Sequence, residues 1–429
     1  MIGVLFGVIF FRKMEAFIMD LDLNESEQKE FNRQLELLSF GVSEITPKDE
    51  FAKILAYSIK HNKPLRIKYG IDPTGADVHL GHLVPCRKMR QFQDLGHIGV
   101  VIVGDYTARI GDPTGRNESR PALPAEQVKK NGEKYLEQIF TVVDKNKTES
   151  KFQSEWFNQV TLQDIILWAG QTTVAKLLSH ETFKNRLSDG NVLSLHELFY
   201  PVLQGIDSVY VKADVELGGN DQKFNVLMGR DYQKARGMRP QVAMLLPILL
   251  GTCGTRKMSK SFGNYIGIFD DPFDKFGKVM SIPDNLMADY YKYLTNISTA
   301  DHHKIVAGLA SNALHPNETK KNLAQEIVSL FHGGEIGRDM RRKFEEVFSR
   351  GQAPEDISEI KVKEGDDLLS VLATAKIVAT KSDGRRLVQQ NAVSFMDGEK
   401  IVSVEFKIAN IHLDRVIKIG KRRFIKLVK

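Results

Sequence analysis

The strand–helix–strand order of residues 64–108 constrains the fold more than any other feature. The segment PLRIKYGID alternates polar and apolar residues, as a strand does, and ends in a turn at residues 72–75. The segment LGHLVPCRKMRQFQDLGH has helical spacing, and HIGVVIVGDYTA is a β-branched run typical of a buried parallel strand. This order predicts an α/β fold with a parallel sheet, and DSVYVKADVELGG and QVAMLLPILLG are further strand candidates.

The basic charge of the chain is concentrated at its C-terminal end. Residues 366–429 contain 13 Lys and Arg against 7 Asp and Glu, which accounts for the whole net charge of +6. A basic segment on a neutral body indicates a polyanionic partner. A solvated basic surface is the alternative, and charge alone leaves both open.

Cysteine usage and the N-terminal residues bear on location. Two cysteines are too few for a disulfide framework or a cysteine-rich zinc site and fit a reducing cytoplasm. The opening MIGVLFGVIFF, 11 residues long, is too short to span a bilayer, and its basic residues follow it, the reverse of a signal peptide. We expect a cytoplasmic protein without a membrane segment, with residues 1–30 as an N-terminal extension, either disordered or upstream of the true start.

The tetrapeptide HLGH at residues 79–82 opens the predicted helix and has three possible roles. His79 and His82 could bind a metal, cap or pack against the helix, or hold a phosphate. No HExxH arrangement or cysteine pair lies nearby, which disfavours a metal. Taken alone, the motif favours capping or packed histidines. Its place after a strand and a glycine-containing turn favours a phosphate, because backbone N–H groups and the helix dipole attract anions there.

The segment RKMSKSFGN at residues 256–264 is a second candidate for phosphate chemistry. Lys257 and Lys260 stand three apart among serines, with Gly254 and Gly263 nearby. The segment is either a solvated basic loop or a mobile loop that closes on a triphosphate and neutralises the departing pyrophosphate.

Together, HLGH before a helix and KMSKS about 175 positions later resemble the class I aminoacyl-tRNA synthetases, which favours the phosphate interpretation of both motifs. The order strand, Gly-x-Asp-Pro-Thr, HLGH is similar to the tyrosyl-tRNA synthetases. Further matches follow in register: GDYTARIGDPTGR, YPVLQGID, GGNDQKFN and HPNETKKNLAQEIVSLFHG. The resemblance covers the chain from about residue 30 to its C-terminus.

The resemblance implies a tyrosine--tRNA ligase. Such an enzyme uses ATP to activate L-tyrosine as tyrosyl-adenylate and then transfers tyrosine to the 3'-terminal adenosine of tRNA(Tyr). ATP with Mg²⁺ would enter as a substrate complex, with no tightly bound cofactor and no protein metal site. The implied partners are L-tyrosine, ATP, tRNA(Tyr) and a second copy of the chain in a homodimer.

The resemblance also implies roles for individual residues. The residues that would contact tyrosine are Asp112, Tyr200 and Gln204 at the α-ammonium, Asp207 at the phenolic hydroxyl, and Gln222 and Lys68. The residues that would bind ATP are Gly81, Gly219, Asp221, Met258 and Ser261. The catalytic contacts to the triphosphate would come from Thr74, His79, His82, Lys257 and Lys260. Arg116 and Arg120 would lie near the phosphates or the tRNA end.

One position departs from many bacterial members of the family. They carry a tyrosine two residues before the glycine of Gly-x-Asp-Pro-Thr, where it helps to read the substrate hydroxyl, whereas this chain has Lys68. Tyr69 cannot replace that tyrosine, because neighbours on a strand face opposite sides. Either Lys68 reaches the pocket or Asp207 reads the hydroxyl with less help.

The implied domain order is α/β, then α, then α+β. A Rossmann-like parallel-sheet catalytic domain with a helical insertion would span residues 31–270, and a helical anticodon-region domain residues 271–350. After a linker at 351–365, residues 366–429 are similar to the small RNA-binding module of ribosomal protein S-four, with RNA contacts from Lys381, Arg385 and Arg386. A tryptophanyl-tRNA synthetase and a non-catalytic RNA-binding protein on a synthetase core are the alternatives.

Overall fold

The computed structural model describes residues 23–75, 78–114, 123–349, 358–378, 380–396, 399–420 and 423–429. The chain forms two compact units. The first unit comprises Met1–Phe269 and Ile282–His315, and the second comprises Asp270–Ser281 and Pro316–Lys429. No helix among the described residues is long and apolar enough to cross a membrane.

The helices are numbered in chain order. They are α1 (Glu25–Ser39), α2 (Lys48–His61), α3 (Leu80–Asp94), α4 (Thr107–Ile110), α5 (Ala125–Ile139), α6 (Ser154–Phe157), α7 (Leu162–Ala169), α8 (Val174–Leu178), α9 (Glu181–Ser188), α10 (Phe199–Tyr210), α11 (Lys223–Ala235), α12 (Pro272–Met280), α13 (Met287–Leu294), α14 (Thr299–Ala310), α15 (Pro316–His332), α16 (Gly334–Ser349), α17 (Leu368–Thr374) and α18 (Lys381–Gln389).

The first unit is built on a six-stranded sheet. Its strands are β1 (Glu44–Thr46), β2 (Arg66–Ile71), β3 (Ile98–Val103), β4 (Thr148–Phe152), β5 (Val215–Gly219) and β6 (Val242–Leu246). The strand order is β1-β6-β5-β2-β3-β4, and all neighbours are parallel except β1, which runs antiparallel to β6. The predicted α/β class with a parallel sheet is confirmed.

The topology fixes where a ligand can bind. The chain runs from β2 outward through β3 to β4 on one side and later through β5 to β6 on the other, so the direction changes between β2 and β5. In such sheets a crevice opens at the carboxyl ends of the strands beside this point. The strand residues along it are almost all buried, as in β3 and β6.

Three local predictions from the sequence differ from the structure. The predicted strand candidates do not include β4, an edge strand whose residues TESKF are half-buried and lack an apolar run. The strand candidate DSVYVKADVELGG begins inside α10, and β5 starts at Val215. Helix α1 begins at Glu25, within the predicted N-terminal extension, and residues 1–22 lie outside the described residues.

The second unit contains helices and a small sheet. Helices α12, α15 and α16 pack against one another. The strands β7 (Ser358–Lys361), β8 (Val393–Phe395), β9 (Val416–Ile419) and β10 (Arg423–Val428) form a sheet in the order β7-β10-β9-β8. Its core includes buried Leu372, Val393 and Ile417. Strand β7 falls within the predicted linker and pairs in parallel with β10.

Candidate active site

A cavity of about 400 Å³ lies at the carboxyl ends of β2 to β6. It gathers side chains from distant parts of the first unit. The predicted site residues that line it are Thr74, His79, Gly81, His82, Asp112, Tyr200, Gln204, Asp207, Gly219, Asp221, Gln222, Lys257 and Met258. Three others do not line it: Lys68, Lys260 and Ser261.

Helix α10 presents three of these side chains on one face. Tyr200, Gln204 and Asp207 stand at helical spacing of four and three residues, so they face the cavity together. The Tyr200 hydroxyl donates to Asp72 Oδ2 at 2.9 Å, and Asp72 Oδ1 accepts from Thr107 Oγ1 at 2.7 Å. Tyr200 is therefore fixed in place by a carboxylate that follows β2.

Asp207 is the buried acidic group of this face, with 3% of its surface exposed. Its Oδ2 accepts from Gln153 Nε2 at 2.7 Å, and its Oδ1 accepts from Trp156 Nε1 at 3.2 Å. Burial raises the pKa of Asp207 to about 7, while the charge of Lys68 and the Gln153 hydrogen bond lower it. The carboxyl group is fully positioned and can accept one further hydrogen bond from a hydroxyl in the cavity.

Asp112 is a second carboxylate that lines the cavity. Asp112 Oδ2 accepts from Gln222 Nε2 at 2.7 Å, and its Oδ1 accepts from the Thr114 backbone N–H at 2.9 Å. Burial raises the pKa of Tyr200, and the negative charge of Asp112 raises it further. Asp112, Tyr200 and Gln204 together form an acceptor-rich cluster suited to an ammonium group.

The two histidines of HLGH lie at the start of α3. His79 is the N-cap residue, and its backbone N–H donates to His82 Nδ1 at 3.2 Å. The rings stack with centroids 3.8 Å apart. Burial lowers the pKa of His79 to about 2 and that of His82 to about 4, with Lys260 lowering both. Both rings are therefore neutral near pH 7.

Gly81 lies between the histidines because a side chain has no room there. A Cβ at this position would lie 3.0 Å from His79 Nδ1 and 3.6 Å from Met258 Cβ. Within the described part of the chain, the buried Nδ1 of His79 has no hydrogen-bond partner. The cavity wall at this end is thus backbone and ring edge, to which a flat group or a phosphate can come close.

The KMSKS segment forms a loop held by one side chain. Asn264 Oδ1 accepts from the Ser259 backbone N–H at 2.9 Å, and its Nδ2 donates to the Lys257 carbonyl at 3.1 Å. Lys257 stays about half exposed, with Nζ 4.0 Å from Asp221 Oδ2. The Nζ of Lys260 lies 3.7 Å from the point that a Cβ on Gly75 would occupy. The loop therefore brings both lysines to the side of the cavity that the histidines line.

Comparison with known proteins assigns the family. The sequence profile of the family described as tRNA synthetases class I (W and Y) matches residues 60–349. The chain is 45% identical to the tyrosine--tRNA ligase of Desulfotalea psychrophila, over 92% of this chain and 98% of that protein. It is 44% identical to the tyrosine--tRNA ligase of Moorella thermoacetica, over 93% of this chain and 97% of that protein. The chain belongs to the tyrosyl-tRNA synthetases.

Solved structures of tyrosyl-tRNA synthetases share the fold. A C-terminally truncated mitochondrial enzyme from Aspergillus nidulans superposes with a TM-score of 0.63 at 20% identity, covering 78% of this chain and 100% of that one. The enzyme from Archaeoglobus fulgidus, solved in complex with L-tyrosine, gives a TM-score of 0.58 at 20% identity, covering 72% and 99%.

As a tyrosyl-tRNA synthetase, the chain is an enzyme and a tyrosine--tRNA ligase. The tryptophan-specific alternative is not favoured, because the relatives at 40–45% identity are tyrosine ligases. The non-catalytic alternative is likewise not favoured, since these relatives match over nearly their whole length.

Lys68 of the synthetase, predicted as a tyrosine contact, does not line the cavity. Its side chain is completely buried, and its Nζ lies 2.9 Å from Glu216 Oε1 and 2.9 Å from the Gln204 carbonyl oxygen. A buried ammonium group needs an opposite charge, and Glu216 provides it behind the cavity wall. Tyr69 lines the cavity. It faces the opposite side of the sheet from Lys68, toward Cys86 and Asp221, as strand alternation predicts.

The sequence reasoning missed several residues of the synthetase site. Gln153 and Trp156 position Asp207, and Asp72 positions Tyr200. Gln153 directly follows β4, so the rule that ligands meet the carboxyl ends of strands would have found it had β4 been recognised. Arg116 and Arg120, which the resemblance places near the phosphates, lie outside the described residues.

The predicted RNA-binding residues lie in the second unit. Lys381, Arg385 and Arg386 are exposed on α18. Arg386 pairs with Asp383 at 3.2 Å, and Lys381 lies 3.9 Å from Asp367. Surface pairs at these distances hold such side chains weakly, so all three remain able to reach a phosphate.

Proposed function

We propose that L-tyrosine and ATP bind end to end in the cavity at the carboxyl ends of the strands. The observation that carries this proposal is that one cavity is lined by the face of α10, by HLGH and by Lys257 of the KMSKS loop. Two sets of groups suited to an amino acid and to a polyphosphate therefore share one space.

Tyrosine would lie with its phenol at Asp207 and its ammonium at Asp112, Tyr200 and Gln204. Gln222, bonded to Asp112, would complete this end. The buried Asp207 carboxylate would strongly disfavour phenylalanine as a substrate. Phenylalanine has no hydroxyl group, so the carboxylate would be left without a hydrogen-bond donor. The substrate carboxylate would then point toward the start of α3.

ATP would lie across the start of α3 and under the loop. Gly81 would contact the adenine, while Gly219, Asp221 and Met258 would line the nucleoside site. The phosphates would meet Thr74, the neutral His79 and His82, and Lys257, Lys260 and Ser261 from the loop. The helix N-terminus adds a favourable field for anions.

The reaction would proceed in two displacements. A carboxylate oxygen of tyrosine attacks the α-phosphorus of ATP, the new O–P bond forms, and the bond to pyrophosphate breaks. A ribose hydroxyl of the terminal tRNA adenosine then attacks the tyrosyl carbonyl, and AMP leaves. No side chain has to form a covalent intermediate, so alignment and stabilisation of the phosphate charge supply the catalysis.

Magnesium would enter with the nucleotide. Within the described ranges, no group of three or more His, Cys, Asp or Glu is placed to hold a metal ion. The ion would be held by phosphate oxygens and water, with the protein contacting the phosphates.

The tRNA would be held by the basic C-terminal part of the chain. Lys381, Arg385 and Arg386 on α18 supply exposed cations for backbone phosphates, a mode that gives salt-sensitive affinity. The domain limits predicted from the sequence, with an RNA-binding domain at 366–429, form part of this proposal.

A homodimer and a cytoplasmic location complete the proposal. Large apolar side chains are exposed between α7 and α10, among them Leu162, Ile166, Val174 and Leu195. Exposed apolar residues concentrated in one stretch of chain are typical of a protein interface, and a second copy of the chain would cover them. The cytoplasm is the location in which tRNA and ATP are available together.

Amino-acid-dependent ATP–pyrophosphate exchange tests the proposed site. Exchange should depend on tyrosine, and His82→Ala should lower its rate strongly. His303→Ala, which truncates an exposed histidine outside the cavity, serves as the control and should retain the rate. Equal rates in the two variants would contradict the placement of ATP at the start of α3.

A further inference from the structure

A buried network with a glutamate at its centre lies directly behind the tyrosine end of the cavity. Glu216 is 1% exposed and stands opposite Lys68 across the parallel pair of β5 and β2. Neither Lys68 nor Glu216 lines the cavity. Removing two charged groups from water costs free energy, so their burial beside a binding site indicates a functional role.

The two charged groups of the network, Lys68 and Glu216, each have several hydrogen-bond partners. The Nζ of Lys68 donates to Glu216 Oε1, to the Gln204 carbonyl at 2.9 Å and to Ser208 Oγ at 2.7 Å, which uses all three of its hydrogens. Glu216 accepts in addition from Ser208 Oγ at 3.1 Å, from Gln241 Nε2, and from Gln204 Nε2 at 3.2 Å. Two buried charged groups that are hydrogen-bonded in this way hold each other rigidly.

The hydrogen bond from Gln204 to Glu216 fixes which way the Gln204 amide group points. An ionised carboxylate can only accept hydrogen bonds, so the side of Gln204 that faces Glu216 must be its NH₂ group. The amide oxygen of Gln204 is thereby turned the other way. Gln204 itself lines the cavity, so this acceptor is available to a cationic group there.

We propose that Glu216, held by Lys68, is a positioning residue that orients the Gln204 amide so that its oxygen accepts from the α-ammonium of tyrosine. This inference rests on the proposed function, which places the ammonium at Gln204. It explains why the chain can carry a lysine at position 68: the ammonium group of Lys68 stabilises the orienting carboxylate instead of touching the substrate.

Charge-matched double variants test the proposal without leaving a lone buried charge. Lys68→Met/Glu216→Leu removes the acceptor, whereas Lys68→Met/Glu216→Gln keeps an amide oxygen that can still accept from Gln204. The Leu variant should raise the KM for tyrosine in ATP–pyrophosphate exchange by about 10- to 100-fold, the effect expected for losing a hydrogen bond to a charged group. The Gln variant should retain most of the tyrosine affinity, and the KM for ATP should stay within about twofold in both, because the network does not touch the histidine end.

A tyrosine analogue without its amino group separates positioning from general damage. The inhibition constant of 3-(4-hydroxyphenyl)propionate should be the same in the Leu and Gln variants, because this molecule makes no ammonium contact and both variants lose the same two charges near Asp207. Equal weakening of tyrosine and the analogue, or an unchanged tyrosine KM, would overturn the proposal. Absence of tyrosine-dependent exchange in the unmodified enzyme would instead overturn the proposed function.

A conservative single variant guards against misfolding of the double variants. Glu216→Asp keeps the charge that Lys68 needs but shortens the side chain by one methylene, which withdraws the acceptor from Gln204. It should again weaken tyrosine by about tenfold and leave the analogue unaffected. Thermal unfolding of each variant would establish that the folded enzyme is compared in every assay. The positioning role would be contradicted if folded Glu216→Asp bound tyrosine as tightly as the unmodified enzyme does.

Discussion

The two ends of the cavity are built differently. At the tyrosine end, Asp207, Tyr200 and Asp112 each have hydrogen-bond partners within the protein, supplied by Gln153, Asp72 and Gln222. At the nucleotide end, His79 Nδ1 is buried without a hydrogen-bond partner in the described residues, and Lys257 lies about half exposed on a loop.

Under the proposed function, this difference would separate recognition from catalysis. A site that must distinguish tyrosine from phenylalanine benefits from acceptors fixed before the substrate arrives, since an ill-placed acceptor discriminates poorly. A site that must grip phosphates harder as the α-phosphorus reacts benefits from cations on a loop that can close. The buried Lys68–Glu216 pair belongs to the first kind, and the lysines of the KMSKS loop belong to the second.

Removing a loop lysine should have the largest effect. Lys257→Ala should lower the rate of adenylate formation by about 100- to 1000-fold while the KM for tyrosine changes little, because the lysine would act on the phosphates of the transition state. Single-turnover measurement of adenylate formation checks this. Lys304→Ala, which removes an exposed charge outside the loop and the cavity, is the control. Equal losses in rate and in tyrosine affinity would contradict the proposal that Lys257 acts on the phosphates and not on tyrosine binding.

Changing the phenol acceptor should have the next largest effect. Asp207→Asn should reduce the ratio of kcat/KM for tyrosine over phenylalanine by about 10- to 100-fold, because the amide cannot match the charged acceptor. The KM for ATP should not change. Exchange assays with both amino acids measure the ratio, and an unaltered ratio would mean that the hydroxyl is read elsewhere.

A smaller effect should appear in the pH dependence. Burial raises the pKa of Asp207 to about 7, so the carboxyl is ionised above that pH and protonated below it. Only the ionised form accepts hydrogen bonds at both oxygens, so kcat/KM for tyrosine should fall by up to about fivefold between pH 7 and pH 6. Besides burial, the groups that set this pKa are Lys68, Gln153, Glu216 and Trp156. The same fall in Asp207→Asn would assign it to another group.

The smallest effect on activation should come from the C-terminal residues. Deletion of residues 366–429 should leave tyrosine-dependent exchange within about twofold and weaken charging of tRNA, because neither end of the cavity draws on these residues. Comparing exchange with aminoacylation at several salt concentrations tests this. Loss of exchange would show that activation depends on the C-terminal segment.

The sequence was sufficient for residues within contiguous motifs. HLGH, the face of YPVLQGID and the GGNDQ segment all reach the cavity, because each motif lies on one helix or at one strand end. Those motifs also predicted the family and the parallel sheet. The roles of the individual site residues and of Lys381, Arg385 and Arg386 stay predictions.

The residues that were missed depend on long-range pairing. Gln153 follows an edge strand whose polar residues give no strand signal. Glu216 reads as an ordinary charged residue until β5 is placed beside β2 in a register that sets it opposite Lys68. That register joins segments far apart in the chain, and no local pattern encodes it. The burial of Lys68 away from the cavity could not be predicted for the same reason, because its partner Glu216 is distant in the sequence.

A crystal structure with a non-hydrolysable analogue of tyrosyl-adenylate tests the central claim most directly. The account predicts the phenolic oxygen within hydrogen-bond distance of Asp207, the ammonium beside Gln204 Oε1, and the adenine against Gly81. An analogue bound with its tyrosyl and adenosine groups in separate pockets, or with its ammonium facing Gln204 Nε2, would contradict it.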